Sequence, residues 1–168
     1  SECVAKYHFL KIKRDLIKFA YACYLVELID ILTEQEESQS LLFQLLLRAL
    51  FILERTSQCS INLLIESFQL KLLNILGYQP YLERCVNCGK KINSISSFYF
   101  SLKLGGLLCN NCQNVDEKKV GFSREAFLLM KRLLFLSLEK IPEQKKDRNT
   151  EKEIEVLLRT YFSYWAQI

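Results

Sequence analysis

Apolar residues recur at helical spacing through most of the chain, beginning with a long stretch near the N-terminus. From about Lys6 to Glu34 they return every three or four positions, which is the spacing of one face of an α-helix. The first stripe consists of Phe9, Ile12, Leu16, Phe19, Cys23 and Val26. A second stripe consists of Leu10, Ile17, Tyr21, Tyr24, Leu28 and Ile31. A helix with two apolar faces is usually central in a bundle, so we predict one long, central helix here.

Two more helices are predicted before the pattern changes. The stretch 40–55 is almost wholly apolar, which predicts a buried helix. A third helix is predicted over about 60–76, with Ser60 as its N-cap. Gly77 predicts the end of this helix, and Pro80 prevents it from resuming.

The apolar spacing changes to two in the segment 96–104. Alternate positions Phe98, Phe100, Leu102 and Leu104 lie on one face, as in a β-strand. The pair Gly105-Gly106 then predicts a turn. This part of the chain is therefore expected to form a small β-hairpin.

Helical spacing returns after the hairpin. Ser123 is a suitable start for a fourth helix that ends near Ile141. Thr150 and Glu153 form a capping-box pattern before a last helix. The predicted fold class is mainly α: a bundle of about five helices with an inserted four-cysteine zinc ribbon. The expected segments are 1–81 for the first three helices, 82–115 for the finger, and 116–168 for the helices that complete the bundle.

The inserted segment contains two CxxC pairs, Cys85 with Cys88 and Cys109 with Cys112, separated by 20 residues. Two such pairs at this separation are typical of a tetrahedral four-thiolate zinc site. Gly89 suits the turn after the first pair, because that turn needs a residue tolerant of positive φ. Two redox-active CxxC pairs and two disulfides are the alternatives.

A zinc ion bound by four thiolates has no position left for a water molecule. The loop between the pairs contains no His, Asp or Glu, and the chain's one histidine is His8. We therefore expect a structural ion that stabilises a subdomain too small to bury a core of its own, and no catalysis.

Composition limits the class of protein further. Half of the 168 residues are hydrophobic, which is enough for a packed core. Cys3, Cys23 and Cys59 lie outside the pairs, and free thiols beside a zinc site indicate a reducing compartment. Cys23 is interpreted as a small buried hydrophobic residue. The longest apolar stretch, 41–53, is too short and too polar to span a bilayer, so we expect a soluble, cytoplasmic protein with no membrane partner.

Several motifs together resemble one known family. They are Leu76-Gly77-Tyr78-Gln79-Pro80, Cys85-x-x-Cys88-Gly89, and Gly105-Gly106-Leu107-Leu108-Cys109-x-x-Cys112. The chain resembles the C-terminal domain of the RecO family, bacterial DNA repair and recombination mediators. Proteins of that family begin with an OB-fold domain, a small β-barrel. Nothing in this chain has the pattern of five short strands before the helices.

The resemblance implies a non-enzymatic role in DNA repair. It implies binding of single-stranded DNA and of the acidic tail of the single-strand-binding protein, and cooperation with RecR. Because the OB domain provides much of that family's nucleic-acid surface, weak DNA binding by this chain is expected.

Basic residues are the candidates for contact with DNA. In the first predicted helix, Lys11, Arg14 and Lys18 share a face by their spacing of three and four positions. They form either a stripe that follows phosphates or an ordinary solvated face. The finger adds Arg84, Lys90, Lys91 and Lys103.

Other candidates have two interpretations each. Tyr99 is a candidate for stacking on a base, although an aromatic residue in a small hairpin more often packs against its neighbours. Arg48, Arg55 and Lys71 are candidates for the rim of a groove that binds an acidic-hydrophobic peptide, or are helix residues with extended side chains.

Two other functions remain compatible with the sequence. A zinc-stapled helical adaptor for protein–protein interaction would show no salt-dependent binding to single strands. A thiol oxidoreductase would normally need a thioredoxin-like βαβ context, and the pattern here lacks one.

Overall fold

The computed structural model describes residues 7–32, 39–92, 98–144 and 147–166. In these ranges the α-helices are α1 (Leu10–Arg14), α2 (Leu16–Leu32), α3 (Gln39–Arg55), α4 (Ile61–Ile75), α5 (Arg124–Phe135) and α6 (Arg148–Ala166). The strands are β1 (Phe98–Ser101), β2 (Gly106–Leu108) and β3 (Val120–Phe122). Short 3-10 turns cover Gln58–Ser60, Asn110–Val115 and Leu138–Lys140. The predicted fold class, mainly α with an inserted hairpin, is confirmed.

Helix α4 is the centre of the bundle. It packs against α2, α3, α5 and α6. Its sequence is apolar on nearly all sides, and Phe68, Leu64 and Leu72 are completely buried. A helix that is apolar all round belongs in the interior of a bundle. The prediction that the first helix is central is therefore wrong.

The first predicted helix is also divided in two. Asp15 has an extended backbone (φ −114°, ψ 110°), and its carboxylate accepts hydrogen bonds from the N–H groups of Ile17 and Lys18. Asp15 thus caps α2. The N-terminus of α1 is capped from a distance, because the Glu54 carboxylate accepts from the N–H groups of Lys11 and Ile12 at 2.8 Å each.

Helix α2 lies at the edge of the bundle. Leu25 and Leu28 face the core, whereas Leu16 is 82% exposed and Val26 is half exposed. Cys23 is exposed, so its interpretation as a buried hydrophobic residue is wrong. Cys3 lies outside the described residues.

The second and third predicted helices correspond to α3 and α4. Gly77 adopts φ 81°, and the Tyr78 N–H donates to the Leu73 carbonyl at 2.8 Å, which ends α4 in the manner predicted. Ser60 does not cap α4 through its side chain, because its Oγ donates to the Pro142 carbonyl.

The last two helices have different N-caps. Ser123 Oγ accepts from the Ala126 N–H, which confirms the predicted cap of α5. At α6 the cap is Asp147, whose carboxylate accepts from the N–H groups of Asn149 and Thr150. The predicted capping box is wrong, because Glu153 instead accepts from the Ser123 N–H at 2.6 Å.

The predicted hairpin is present and carries one strand more than predicted. The sheet is antiparallel with the order β2-β1-β3, and Tyr99 lies opposite Leu108 on one side and Gly121 on the other. Phe100 is buried and meets the Tyr161 ring of α6 edge to face, with centroids 5.1 Å apart. The sheet therefore packs on the C-terminal helix.

Candidate metal centre

The first cysteine pair forms a tight turn ahead of β1. The Cys85 N–H donates to the Lys90 carbonyl, and the Gly89 N–H donates to the Cys85 carbonyl, both at 2.9 Å. Gly89 has φ 72°, as predicted from its position after the pair. This conformation is unfavourable for a residue with a Cβ atom, so glycine suits the turn.

The second pair leaves the end of β2 and enters a 3-10 turn. The Cys112 N–H donates to the Cys109 carbonyl at 2.9 Å. Gln113, which takes the position matching Gly89, lies within the 3-10 turn Asn110–Val115. Its backbone needs no positive φ, which explains why a residue other than glycine is accommodated.

Backbone contacts between the segments bring the two pairs together. The Val86 N–H donates to the Leu107 carbonyl at 2.8 Å, and the Leu107 N–H donates to the Tyr81 carbonyl at 3.1 Å. Gly106 makes this approach possible, because a Cβ there would overlap Val86 and lie 2.9 Å from the Tyr81 carbonyl oxygen. The glycine pair thus has a packing role in addition to its role in the turn.

The four sulfur atoms converge. The Sγ atoms of Cys85, Cys88, Cys109 and Cys112 lie within 4.8 Å of one another, and those of Cys88 and Cys109 are 3.7 Å apart. With metal–sulfur bonds of about 2.3 Å, a tetrahedral ion needs sulfur atoms roughly 3.8 Å apart. The four cysteines therefore fit a single metal ion with a complete thiolate shell.

Two thiols of the cluster, those of Cys85 and Cys112, have very different pKa values. Burial opposes ionisation of Cys85, but hydrogen bonds from the backbone N–H groups of Cys109, Cys88 and Asn87 bring its pKa down to about 6. The Asn87 side-chain amide donates to the Cys112 sulfur at 3.3 Å and lowers its pKa, but the neighbouring thiols outweigh this and raise it to about 12. Once one thiolate has formed, its negative charge disfavours ionisation of the next thiol. A bound divalent cation would offset this repulsion.

A buried carboxylate organises the loops beside the cluster. Asp116 accepts from the Ser101 hydroxyl at 2.7 Å and from the N–H groups of Lys103 and Lys118 at 3.1 and 2.9 Å. Burial opposes its ionisation, but these hydrogen bonds hold its pKa below the usual value. Asp116 is not among the predicted residues, since a single Asp in a polar loop has no distinguishing pattern.

The basic residues predicted in the finger are all on its surface. The four residues Arg84, Lys90, Lys91 and Lys103 are exposed. The backbones of Arg84 and Lys91 form an isolated antiparallel β-bridge. Tyr99 is partly buried in the sheet, with Lys119 Nζ 5.9 Å from its ring centroid. Contact of the four basic residues with DNA remains a prediction.

The basic stripe predicted on the first helix does not exist as one face. The break at Asp15 separates Lys11 and Arg14 from Lys18. Lys18 is only 7% exposed, and its Nζ donates to the Glu54 carbonyl at 3.1 Å. The prediction of a shared face is wrong, and contact with DNA remains a prediction for the exposed Lys11 and Arg14.

The three basic candidates for a peptide groove all line one of two neighbouring cavities, but they differ in their contacts. Lys71 Nζ donates to the Leu134 and Leu136 carbonyls at 2.9 and 2.7 Å, and so caps the C-terminus of α5. Desolvation lowers its pKa. Arg48 and Arg55 are exposed, and both line a cavity of about 640 Å³ along α3 that also contacts Phe51 and Pro142.

A second cavity, of about 430 Å³, is lined by α3, α4 and the end of α5, and Arg48 contacts it as well. Its walls include Leu45, Ile75 and Leu134, and the exposed Leu41 and Phe135 lie at its rim. Arg48 borders both cavities, and the two cavities together are here called the α3 groove. Within the described residues, no helix combines the length and the apolar character needed to cross a bilayer.

The chain is similar to known proteins over nearly its whole length. A family model described as "Recombination protein O C terminal" matches residues 13–167. The chain is 32% identical over 155 residues to a protein from Bacillus pumilus called "DNA repair protein RecO", a match that covers 92% of this chain and 59% of the relative. Proteins of the same name from Roseiflexus sp. and Desulforamulus reducens are 34% and 30% identical over 93% and 99% of this chain, and 54% and 64% of their own lengths. The chain thus spans about three fifths of the length of these relatives.

Proposed function

The chain belongs to the RecO family of DNA repair proteins, and we propose that it acts without catalysis as the mediator region that binds partners during repair. The proposed partners are the acidic tail of the single-strand-binding protein, single-stranded DNA and RecR. The observation that carries the proposal is the α3 groove, which combines an apolar lining with two exposed guanidinium groups. A role at bacterial DNA places the chain in the cytoplasm, beside the nucleoid.

The proposed cofactor is one structural zinc ion held by Cys85, Cys88, Cys109 and Cys112. Its support is the donor set, because four thiolates within one tetrahedral shell favour zinc among the abundant divalent ions. An ion so enclosed has no open position for substrate or water. Elemental analysis of protein purified without a chelator should give close to one zinc per chain, and a folded chain without metal would contradict the assignment.

The α3 groove suits a short peptide in which carboxylates stand beside an apolar side chain. The cavity toward α5 offers apolar walls, including Leu45 and Leu134, for the apolar side chain. Arg48 and Arg55 offer charge-assisted hydrogen bonds to the carboxylates. Among the described residues that line the groove, Glu139 is the one acidic residue, so the basic charge prevails there.

Peptide binding can be tested by charge reversal. A synthetic peptide with the sequence of the acidic tail should bind the chain, and Arg48→Glu combined with Arg55→Glu should weaken binding at least tenfold. Arg124→Glu is the matched control, because Arg124 is an exposed arginine at the start of α5 away from the groove. Equal affinity in the double variant and the control would exclude the groove as the tail site.

Binding of single-stranded DNA separates this function from that of a protein adaptor alone. We expect weak binding that decreases as salt rises, because phosphate contacts release counterions. Lys11→Glu with Arg14→Glu should reduce the salt dependence if α1 contributes. A chain that binds the tail peptide but no DNA at low salt would favour the adaptor.

A further inference from the structure

An exposed group of aromatic rings lies where α6 ends beside the segment leading into the finger. Tyr78 and Trp165 have ring centroids 5.1 Å apart, and Tyr164 lies 5.6 Å from Trp165. The three side chains are 45%, 39% and 36% exposed, respectively. We call these three residues the aromatic platform.

The aromatic platform rests on a rigid base. Tyr161 is buried, its Oη donates to the Tyr78 carbonyl at 3.2 Å, and its ring meets Trp165 edge to face. The Tyr161 ring also packs on Phe100 of the sheet. Rings held in this way lose little freedom when a flat ligand stacks on them.

The β1–β2 turn brings one cation close to the platform. Tyr161 Oη would lie 2.8 Å from a Cβ placed on Gly105, so the β1–β2 turn touches the base of the platform. Lys103 is two residues away from Gly105 and exposed, with its Cα within about 7 Å of the Gly105 Cα. Among the described residues from Tyr78 to Gly106 there are four basic residues and a single acidic one, Glu83.

The platform is also free of acidic residues on its helical side. From Val156 to Ala166, the end of α6 contains no Asp or Glu. Partly exposed rings next to cations are the combination with which proteins bind unpaired bases and the adjoining phosphates.

We propose that the aromatic platform stacks one or two bases of single-stranded DNA, with Lys103 contacting a neighbouring phosphate. The choice of DNA rests on the proposed repair function, but the site is separate from the α3 groove and from Lys11 and Arg14. Three exposed rings beside a cation suit bases and phosphates together, which favours single-stranded nucleic acid over a protein segment or a second copy of this chain.

Trp165 makes the proposal directly measurable, because it is the chain's single tryptophan. Titration of the chain with an oligothymidylate at low salt should quench the tryptophan fluorescence to a plateau, since stacking on a base quenches an indole. The salt dependence of this quenching should fall when Lys103 is replaced by Glu. An unquenched Trp165 at saturating oligonucleotide would overturn the proposal.

Variants of the platform test the stacking itself. Tyr78→Leu and Tyr164→Leu should each weaken DNA binding about tenfold, whereas Tyr78→Phe should bind like the parent chain because it keeps the ring. Phe135→Leu is the control, because it changes an exposed aromatic residue at the α3 groove. Equal DNA affinity in all four variants would overturn the proposal.

The remaining outcomes distinguish this site from the proposed tail site. Tyr78→Leu should bind the tail peptide normally, while the Arg48 and Arg55 double variant should retain the quenching by DNA. Loss of tail binding in Tyr78→Leu, or a dimer of the parent chain that Tyr78→Leu dissociates, would assign the platform to a protein partner and overturn the proposal. Absence of tail binding with intact quenching would instead remove the tail site and leave the platform.

Discussion

The helical bundle and the finger are stabilised by different means. In the bundle, α4 is buried by its neighbours, and apolar side chains such as Phe68, Leu64 and Leu72 supply the core. In the finger, short strands of three or four residues surround four converging thiols and the carboxylate of Asp116. The bundle depends on the hydrophobic effect, whereas the finger adds polar and ionic groups whose charge state changes with pH and with metal binding.

The two regions are nevertheless joined in one apolar core. Phe100 and Leu107 of the sheet belong to the same buried cluster as Phe68 and Leu158 of the bundle. Tyr161 makes the junction, through its ring on Phe100 and its hydroxyl on the Tyr78 carbonyl. The finger therefore has its own source of stability but shares a boundary with the bundle.

Removal of the metal should have the largest effect. A strong chelator, or Cys109→Ser, should unfold residues 82–115, because a structural zinc site contributes on the order of 10 kcal/mol of binding free energy. The helical circular dichroism signal should mostly remain, since α4 and its neighbours bury their own apolar faces. Cys59→Ser, which changes an exposed cysteine outside the cluster, should keep the metal and the fold. Collapse of the whole helical signal would show that the finger is integral to the core.

Truncation of a side chain in the centre of α4 should give the next largest effect. It should destabilise the bundle and leave the metal site intact, the reverse of metal removal. Phe68→Ala should cost about 3–5 kcal/mol of unfolding free energy, because it leaves a cavity in a fully buried site. Denaturant unfolding followed by circular dichroism measures the loss. At low denaturant concentration the metal content should stay at one equivalent.

The matched control for this truncation is Phe43→Ala. Phe43 is 62% exposed on α3, so its truncation should change stability by less than about 0.5 kcal/mol. Metal loss from folded Phe68→Ala would mean that the finger cannot hold its ion without an intact bundle.

Asp116 should make the stability of the finger depend on pH in the acid range. Its pKa in the folded chain is lowered from 3.8, so its stabilisation is complete above about pH 4 and is lost as the pH falls through the lowered pKa. Asp116→Asn should cost about 2 kcal/mol at neutral pH, because the amide is a weaker acceptor for three donors. Amide hydrogen exchange at Lys103 and Lys118 reports on these bonds directly. The same exchange rates in Glu117→Gln, an exposed neighbour, should be unchanged, and an unchanged rate in Asp116→Asn would contradict this role.

Tyr161→Phe should have the smallest effect, confined to the junction. It removes the hydrogen bond to the Tyr78 carbonyl and keeps the ring, for a cost of about 1 kcal/mol. Burial raises the pKa of Tyr161 to about 12, so the hydroxyl remains a donor at neutral pH. Faster exchange near Tyr78 without a change in metal content is the expected result. Tyr164→Phe, at an exposed site, should leave exchange there unaltered, and a large drop in melting temperature for Tyr161→Phe would mean that the junction controls global folding.

Much of the fold was predictable because its signals are local. The ends of α3 and α4 follow from neighbouring polar residues and from Gly77, and the start of α5 follows from Ser123. The cysteine spacing alone predicted that four thiols converge. In each of these cases the residues that determine the structure lie within a few positions of the feature they determine.

The errors arise where a partner is distant in sequence. The apolar stripe runs through Asp15 without interruption, and the break depends on Glu54, some forty residues away, which satisfies the N-terminus of α1. Lys18 and Lys71 looked like surface cations, but each donates to backbone carbonyls of another segment. A periodic pattern contains no information about such acceptors, so burial of a long basic side chain could not be predicted from it.

The contact between Gly105 and Tyr161 has a consequence for the order of events during protein synthesis. Both cysteine pairs and the β1–β2 turn are translated before α6, so the finger leaves the ribosome before the helix on which it rests. Binding of a metal ion at that stage would let the finger fold before α6 has been synthesised. If the ion arrives later, the four thiols remain without a metal until it binds. The yield of folded protein should therefore depend on how the rate of metal delivery compares with the rate of translation.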